Sequence, residues 1–164
     1  MPKLPMDYSK SIIYKIVCKN PEIKDCYVGS TTNYDKRKWN HKYDCNNEKS
    51  KNYNYNIYKF IRDNGNWENF DMIIIEKFKC NDKLELHQRE RYWLENLKAS
   101  LNSKIPTRTD KEYREDNKDK INEYNKEYRD NNKQKIAEKV KCNICNKIMR
   151  KDSLNRHQKN IHNI

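Results

Sequence analysis

The chain of 164 residues is long enough for one compact domain with a modest core, or for a smaller domain with an appendage. Charged residues make up 37% of it and hydrophobic residues 34%, so part of the chain is expected to stay outside any packed core. The net charge of +12 favours a polyanionic partner. No apolar run reaches membrane-spanning length and no secretory signal opens the chain, which predicts an intracellular protein without a membrane partner.

The N-terminal part begins with the pattern of a β-hairpin. A β-branched run at 11–18 and a short apolar run at 26–30 flank a turn-like segment, as two antiparallel strands would. Thr32 or Asn33 is placed to cap a helix that runs to about Tyr43. The hairpin and this helix would form the N-terminal part of a small domain that contains both strands and helices.

A second helix, a third strand and a third helix follow. The periodic segment around Ile57 and Ile61 stops at Asn64-Gly65, which is typical of a left-handed helix cap. The run Met72-Ile73-Ile74-Ile75 predicts a buried third strand, and a helix is expected from Asn81 or Asp82 to about Ala99. The predicted fold class is therefore α+β, with a small three-stranded antiparallel sheet flanked by helices at 8–106.

Glu90 interrupts an apolar stripe of the third helix. At 100° per residue it lies on the same side as Leu86, Trp93 and Leu97. A buried carboxylate needs a cation, and a metal ion would serve. The structural alternative is a glutamate at the edge of the core that pairs with Arg89 or with a neighbouring helix.

Two further pairs of residues, each taken by itself, are compatible with either a functional or a purely structural role. Arg37 and His41 are four positions apart and project from the same face of the first helix, but basic helix faces are usually solvated. Tyr14 and Tyr27 lie in the two strands of the hairpin, where tyrosine is also a common structural residue.

The ordered combination of these residues resembles the GIY-YIG endonuclease family over roughly residues 11 to 106. Ile12-Ile13-Tyr14 stands for the first half of the motif and Tyr27-Val28-Gly29 for the second. Arg37 and His41 follow Tyr27 by ten and fourteen positions, and Glu90 stands in an Arg-Glu-x-x-Trp context. Gly29 and Asn102 match structural positions of the family.

The resemblance implies hydrolysis of a phosphodiester bond in DNA, with magnesium or manganese held by Glu90. Arg37 would stabilise the charge of the transition state. Tyr27 would be the general base for the attacking water or would orient it. The role of base requires nearby cations to lower its pKa from near 10, and Arg37, His41 and the metal are the candidates. Tyr14 would line the site and position the phosphate, and His41 would hydrogen-bond Tyr27 or the phosphate.

A charged segment at 107–140 contains a repeat of fifteen residues, in which Lys111 to Ile121 recurs as Lys126 to Ile136. Fifteen residues are about four helical turns, so each unit returns to nearly the same helix face. The apolar line is too thin to bury a core, which predicts a solvated helical linker. Alternatively, its Tyr and Lys residues track a DNA backbone.

The final segment, 141–164, has the ligand spacing of a zinc finger: Cys142, Cys145, His157 and His162. It resembles the ββα fingers of the two-Cys two-His family. That resemblance puts three residues, Arg150, Ser153 and Arg156, at the base-reading positions. Binding of RNA or protein by the finger stays open.

The whole sequence is interpreted as a metal-dependent DNA endonuclease that a zinc finger tethers to DNA, of the homing or viral kind, and most simply a monomer. Two alternatives remain. One is a catalytically weak nucleic-acid-binding regulator, and the other is a structure-specific repair nuclease with the same chemistry.

Overall fold

The computed structural model describes residues 6–163, which divide into two compact units, one ending at Arg108 and the other beginning at Thr109. No helix in this range is long and apolar enough to cross a membrane. The finer division into a nuclease domain at 8–106, a linker at 107–140 and a finger at 141–164 stays a prediction.

A three-stranded antiparallel sheet forms the centre of the first unit. Its strands are β1 (Ile12–Cys18), β2 (Cys26–Thr31) and β3 (Phe70–Lys77), in the spatial order β2-β1-β3. The predicted hairpin is confirmed, and Tyr14 of β1 lies opposite Gly29 of β2. Both β2 and β3 are therefore edge strands.

Three helices flank this sheet: α1 (Tyr34–Asn46), α2 (Asn56–Asp63) and α3 (Lys83–Asn96). Asn33 caps α1 as predicted, and its side chain accepts a hydrogen bond from the backbone N–H of Lys36. The helix continues three residues beyond the predicted end at Tyr43.

The ends of α2 and α3 also follow local sequence signals. Gly65 has a φ of 94°, in the left-handed region that its position after the Asn64 cap of α2 demands. Asp82 caps α3 by accepting a hydrogen bond from the backbone N–H of Glu85. Both boundaries were predicted to within a few residues.

The two faces of the sheet carry two separate core clusters. On one face, Tyr14 and Ile16 pack with residues of α1 and α2, including Tyr58. On the other face, Ile13 and Val28 pack with apolar residues of α3. Successive residues of a strand point to opposite faces, which brings helices to both sides of β1. The α+β class with a flanked three-stranded sheet is thus confirmed.

The prediction that the third strand is buried is wrong. Phe70 and Met72 are buried, but Ile73 and Ile74 are exposed by 43% and 39%. The physical reason is that β3 lies at the edge of the sheet, where the helices cover it only in part. A register irregularity opposite the Ile13/Tyr14 step accompanies this change.

The second unit begins with three short helices, α4 (Asp110–Asp116), α5 (Lys118–Asn131) and α6 (Lys133–Ala137). The predicted linker is helical, but it is interrupted at Asn117 and Asn132, which occupy the same place in the fifteen-residue repeat. Each of these asparagines donates its amide N–H to the carbonyl of the tyrosine four residues earlier. The repeat therefore encodes a recurring local break.

The C-terminal segment forms the predicted ββα arrangement. Strand β4 (Lys139–Lys141) pairs antiparallel with β5 (Ile148–Arg150), and helix α7 (Leu154–His162) follows. Within the second unit, Lys151 donates to the Glu138 carboxylate at 3.1 Å and so joins the end of the helical segment to the finger.

Candidate active site

A cleft of about 710 Å³ lies in the first unit, and residues from four elements line it. Tyr27 comes from β2, Arg37 and His41 from α1, Tyr58 from α2, and Glu90 from α3. The loop that follows α3 closes another wall with Asn102. Residues that are up to 75 positions apart in the sequence thus meet at one concave surface, which is where ligands usually bind.

Tyr14 lies in the floor beneath this cleft and is fully buried. Arg37 donates from Nε to the Tyr14 hydroxyl at 2.8 Å, and the same hydroxyl lies 2.8 Å from His41 Nε2. Burial raises the pKa of Tyr14 well above its ordinary value. Tyr14 therefore stays protonated and orients the Arg37 side chain, and the phosphate positioning predicted for it stays a prediction.

Gly29 is required by the position of the Tyr14 ring. A Cβ atom at Gly29 would lie 2.5 Å from the Tyr14 hydroxyl oxygen and 2.7 Å from Cζ. It would also lie 2.9 Å from a ring carbon of Tyr27. The glycine of the second half-motif thus gives the two tyrosines their space.

His41 lies between two phenol groups and is only 2% exposed. Its Nε2 faces the Tyr14 hydroxyl, its Nδ1 lies 3.0 Å from the Tyr58 hydroxyl, and its ring stacks on Trp67. Burial and the nearby Arg37 lower the pKa of His41 to about 3. The ring is therefore neutral, so the expectation that His41 is a cation near Tyr27 is wrong.

Tyr27 is half-buried and lines the cleft beside Arg37. Burial raises its pKa, and the charge of Arg37 offsets this rise only in part. Arg37 thus acts in the expected direction, but it does not bring the pKa of Tyr27 below its ordinary value. A protonated Tyr27 can still orient a water molecule with its hydroxyl group.

Glu90 projects from α3 toward β2, where Ser30 donates its hydroxyl hydrogen to Oε2 at 2.5 Å. Burial raises the pKa of Glu90, while Ser30, His87 and Arg37 act in the opposite direction. The suggested pairing with Arg89 is wrong, because Arg89 binds the carboxylate of Glu76 at 2.8 Å. A desolvated carboxylate at the wall of a cleft suits a divalent cation, since magnesium prefers carboxylate oxygens together with substrate phosphate and water.

Asn102 holds the outer edge of β2. Its side-chain N–H donates to the carbonyl of Val28 at 2.7 Å, and its oxygen accepts from the Val28 N–H at 2.8 Å. These two bonds satisfy the backbone of an edge strand next to Tyr27. The geometry gives Asn102 a supporting position at the site.

Several residues at the site escaped the sequence reasoning. Ser30 orients Glu90, and His87 lines the cleft one helical turn before it. Tyr58 and Asp44 belong to the hydrogen-bond network of His41. Only Asp44 and His87 had a usable signal, because each lies three positions from a candidate residue on the same helix face.

The finger in the second unit brings its four predicted ligands together. The ligand atoms of Cys142, Cys145, His157 and His162 all lie within 4.8 Å of one another. Two thiolates and two imidazoles are a usual ligand set of structural zinc. Backbone hydrogen bonds from Cys145 and Ile144 lower the pKa of Cys142 and favour the thiolate that a metal requires. The cluster is therefore compatible with a zinc site.

The three predicted base-reading residues lie around the start of α7. Arg150 ends β5 and forms an ion pair with Asp152, which also accepts the hydroxyl hydrogen of Ser153. Arg156 lies in α7 and is exposed. The structure brings these side chains to one end of the finger helix, and a DNA contact by them stays a prediction.

The comparison with protein families places the nuclease-like region in a known family. The family model described as the GIY-YIG catalytic domain matches residues 10–104, more than half of the chain. A search of curated proteins and a search of solved structures each gave no match. With Tyr27, Arg37 and Glu90 lining one cleft of the matched region, this chain belongs to the GIY-YIG family of nucleases.

Proposed function

We propose that the protein is a metal-dependent DNA endonuclease that hydrolyses phosphodiester bonds in the cleft of its first unit. Nucleases of this family use divalent metals and act on DNA. The observation that carries the proposal is that Tyr27, Arg37 and Glu90, from three different elements, line the same cleft. They provide a polar hydroxyl, a cation and a carboxylate around one substrate-sized space.

Glu90 is the residue that would hold the magnesium or manganese ion. Ser30 holds the carboxylate by donating to Oε2, and an ionised carboxylate has two oxygens with several acceptor sites, so it can coordinate a cation as well. When bound, the metal supplies Lewis-acid stabilisation of the charge on the phosphate and on the leaving oxygen. His87 lies on the same helix one turn earlier and adds a polar group to this wall.

Arg37 would bind the phosphate and stabilise the negative charge that develops in the transition state. Its Nε–H is engaged by Tyr14, so the orientation of the guanidinium group is set before the substrate arrives. The guanidinium group has further N–H donors, and Arg37 lines the cleft in which the phosphate would bind. A guanidinium group held in this way does not have to reorient when negative charge develops on the phosphate in the transition state.

Tyr27 would orient the attacking water and receive its proton. Tyr27 lines the cleft, whereas Tyr14 is fully buried. The raised pKa of Tyr27 argues against a standing phenolate. Tyr27 would therefore orient the attacking water in its protonated form, and it would take the water's proton only where the bound metal and Arg37 lowered its pKa enough.

The finger would bind zinc and tether the nuclease to DNA. Residues 142–164 carry five Lys or Arg and one Asp, which favours binding to the phosphate backbone. Arg150, Ser153 and Arg156 are the side chains proposed to read bases, and one finger reads only about three base pairs. The predicted linker at 107–140, by contrast, contains nearly equal numbers of basic and acidic residues.

This arrangement favours an active enzyme over a regulator that has lost catalysis, since none of the catalytic side chains is missing. An intracellular, monomeric enzyme of a virus or mobile element remains our interpretation, with a repair nuclease as the alternative. Incubation with supercoiled, linear and branched DNA in magnesium, with EDTA as the control, tests the function. We expect cleavage when magnesium is present and no cleavage when EDTA removes it. A protein that carries zinc yet cuts none of these substrates in magnesium or manganese would contradict the proposal.

A further inference from the structure

Two clefts of the first unit share one set of side chains. Beside the cleft of about 710 Å³ lies a second cleft of about 440 Å³. Among the described residues, the side chains that line both clefts are those of Tyr27, Arg37, His87 and Glu90. The first, second and fourth of these have roles in the chemistry proposed above. His87 stands at the same place and has none.

His87 and Glu90 are neighbours on α3. They are three positions apart, which puts their side chains on the same face of the helix. Both residues are half-buried, and both belong to the wall that α3 gives to the two clefts. Burial raises the pKa of Glu90, and the charge of His87 is among the influences that oppose this rise. The imidazole and the carboxylate are therefore within electrostatic reach of each other.

The His87 ring is available to a ligand. Within residues 6–163, no hydrogen bond, ion pair or ring contact engages it. The other histidines are all engaged, since His41 lies between two hydroxyl groups and the remaining two belong to the cluster in the finger. An imidazole with both nitrogens unengaged, next to a carboxylate at the wall of a cleft, is a donor that a metal ion can use.

A carboxylate and an imidazole three positions apart on a helix can bind one metal ion together. Helical bundles that hold iron or manganese use a Glu and a His at this separation, which occurs here in the reverse order. Imidazole nitrogen favours first-row transition ions, whereas magnesium prefers oxygen ligands and keeps several water molecules. A nitrogen ligand beside Glu90 would thus change which cation the site prefers.

We propose that His87 is a second protein ligand of the cation at Glu90, and that this pair makes the site prefer manganese to magnesium. The inference rests on the proposed nuclease function, because that function puts a cation at Glu90. It adds the class of the cation, which is a divalent first-row transition ion that takes one nitrogen and one or more carboxylate oxygens from the protein.

Manganese titration of the zinc-loaded, full-length protein tests this proposal without turnover. Mn²⁺ stands at the low end of the affinity order of the divalent transition ions, so it should leave the zinc of the finger in place. The EPR signal of free Mn²⁺ gives the affinity, competition with Mg²⁺ gives the preference, and pulsed EPR detects a nitrogen that is bound to the manganese. Glu90→Gln identifies the ion in the cleft, because this variant should lose it.

We expect nitrogen coupling to the bound manganese in the wild type and its loss in His87→Ala. The affinity of His87→Ala for Mn²⁺ should fall by about tenfold or more, because the loss of a mere outer partner of a metal ligand already costs that much. His87→Glu supplies oxygen in place of nitrogen, so it should keep a bound cation and move the preference toward magnesium.

Gln88→Ala is the matched control. Gln88 is the next residue of α3, is exposed and lines neither cleft, so this variant should bind Mn²⁺ as the wild type does. Equal affinity of the wild type and His87→Ala, without nitrogen coupling in either, would overturn the role of His87 and leave Glu90 as the metal ligand. A wild type without any manganese that Glu90→Gln removes would overturn it as well. A wild type that binds manganese through His87 and yet cuts no DNA would instead overturn the nuclease function.

Discussion

Acid should destabilise the nuclease domain through His41. The folded protein lowers the pKa of this residue from 6.5 to about 3, first because burial disfavours the imidazolium and then because Arg37 is near. In the unfolded chain the pKa returns to its ordinary value. Below pH 6.5 the unfolded state therefore binds a proton that the folded state excludes. The contribution is fully present above pH 6.5 and is lost as the pH falls toward 3.

The structure sets the size of this effect. Each pH unit between the two pKa values corresponds to about 1.36 kcal/mol. pH 5 lies about 1.5 units below the pKa of 6.5 that His41 has in the unfolded chain, so the free energy of unfolding should be lower by about 2 kcal/mol than at neutral pH. His41 is almost fully buried, so solvent screening reduces this figure little.

Urea unfolding followed by tryptophan fluorescence measures this loss. All three tryptophans, Trp39, Trp67 and Trp93, lie in the first unit, so the signal reports on the nuclease domain and not on the finger. The comparison is between the wild type and His41→Gln, each at about pH 7.5 and pH 5. Other titrating groups, including Glu90, contribute to both proteins and cancel in the difference. An equal loss of stability in the two proteins on acidification would refute a neutral, buried His41.

Three other changes give distinct results. Arg37→Ala should lower the cleavage rate far more than it weakens DNA binding, because the charge that Arg37 meets develops in the transition state; equal losses in a cleavage and a gel-shift assay would reduce it to a phosphate anchor. Gly29→Ala should displace the Tyr14 ring and lower activity as well as stability, measured by cleavage and urea unfolding, since the new methyl group overlaps the hydroxyl and ring of Tyr14. His157→Ala should unfold the finger and weaken DNA affinity with a shallower salt dependence, while the cleavage rate at saturating DNA stays unchanged; an unaltered salt slope would contradict the tether.

Those features of the fold that depend on neighbouring residues could be predicted from the sequence. Asn33 and Asp82 cap their helices, and Gly65 ends a third, because caps depend on a few neighbouring residues. The ligand spacing of the finger is also local, so the cluster at Cys142 and its partners was predictable. The apolar stripe around Glu90 placed its carboxylate on the packed side of α3, although it could not identify Ser30 as its partner.

Features that depend on distant parts of the chain were missed. The exposure of Ile73 and Ile74 follows from the edge position of β3, which a hydrophobic run does not reveal. The neutral state of His41 follows from its burial between β1 and α2, where Tyr58 and Trp67 meet it. The spacing of Arg37 and His41 indicated a shared helix face and said nothing of how deeply that face is buried.

The role of Glu90 is tested most directly by the variant Glu90→Gln, which keeps the shape of the side chain and removes its charge. Purified variant and wild-type proteins would be compared for magnesium-dependent cleavage of supercoiled DNA, and their DNA affinity would be measured in parallel without turnover. We expect the variant to lose cleavage and to retain its fold and most of its DNA binding, because only the proposed metal ligand has changed. Cleavage by Glu90→Gln at the wild-type rate would contradict the assignment of this cleft as a metal-dependent nuclease site.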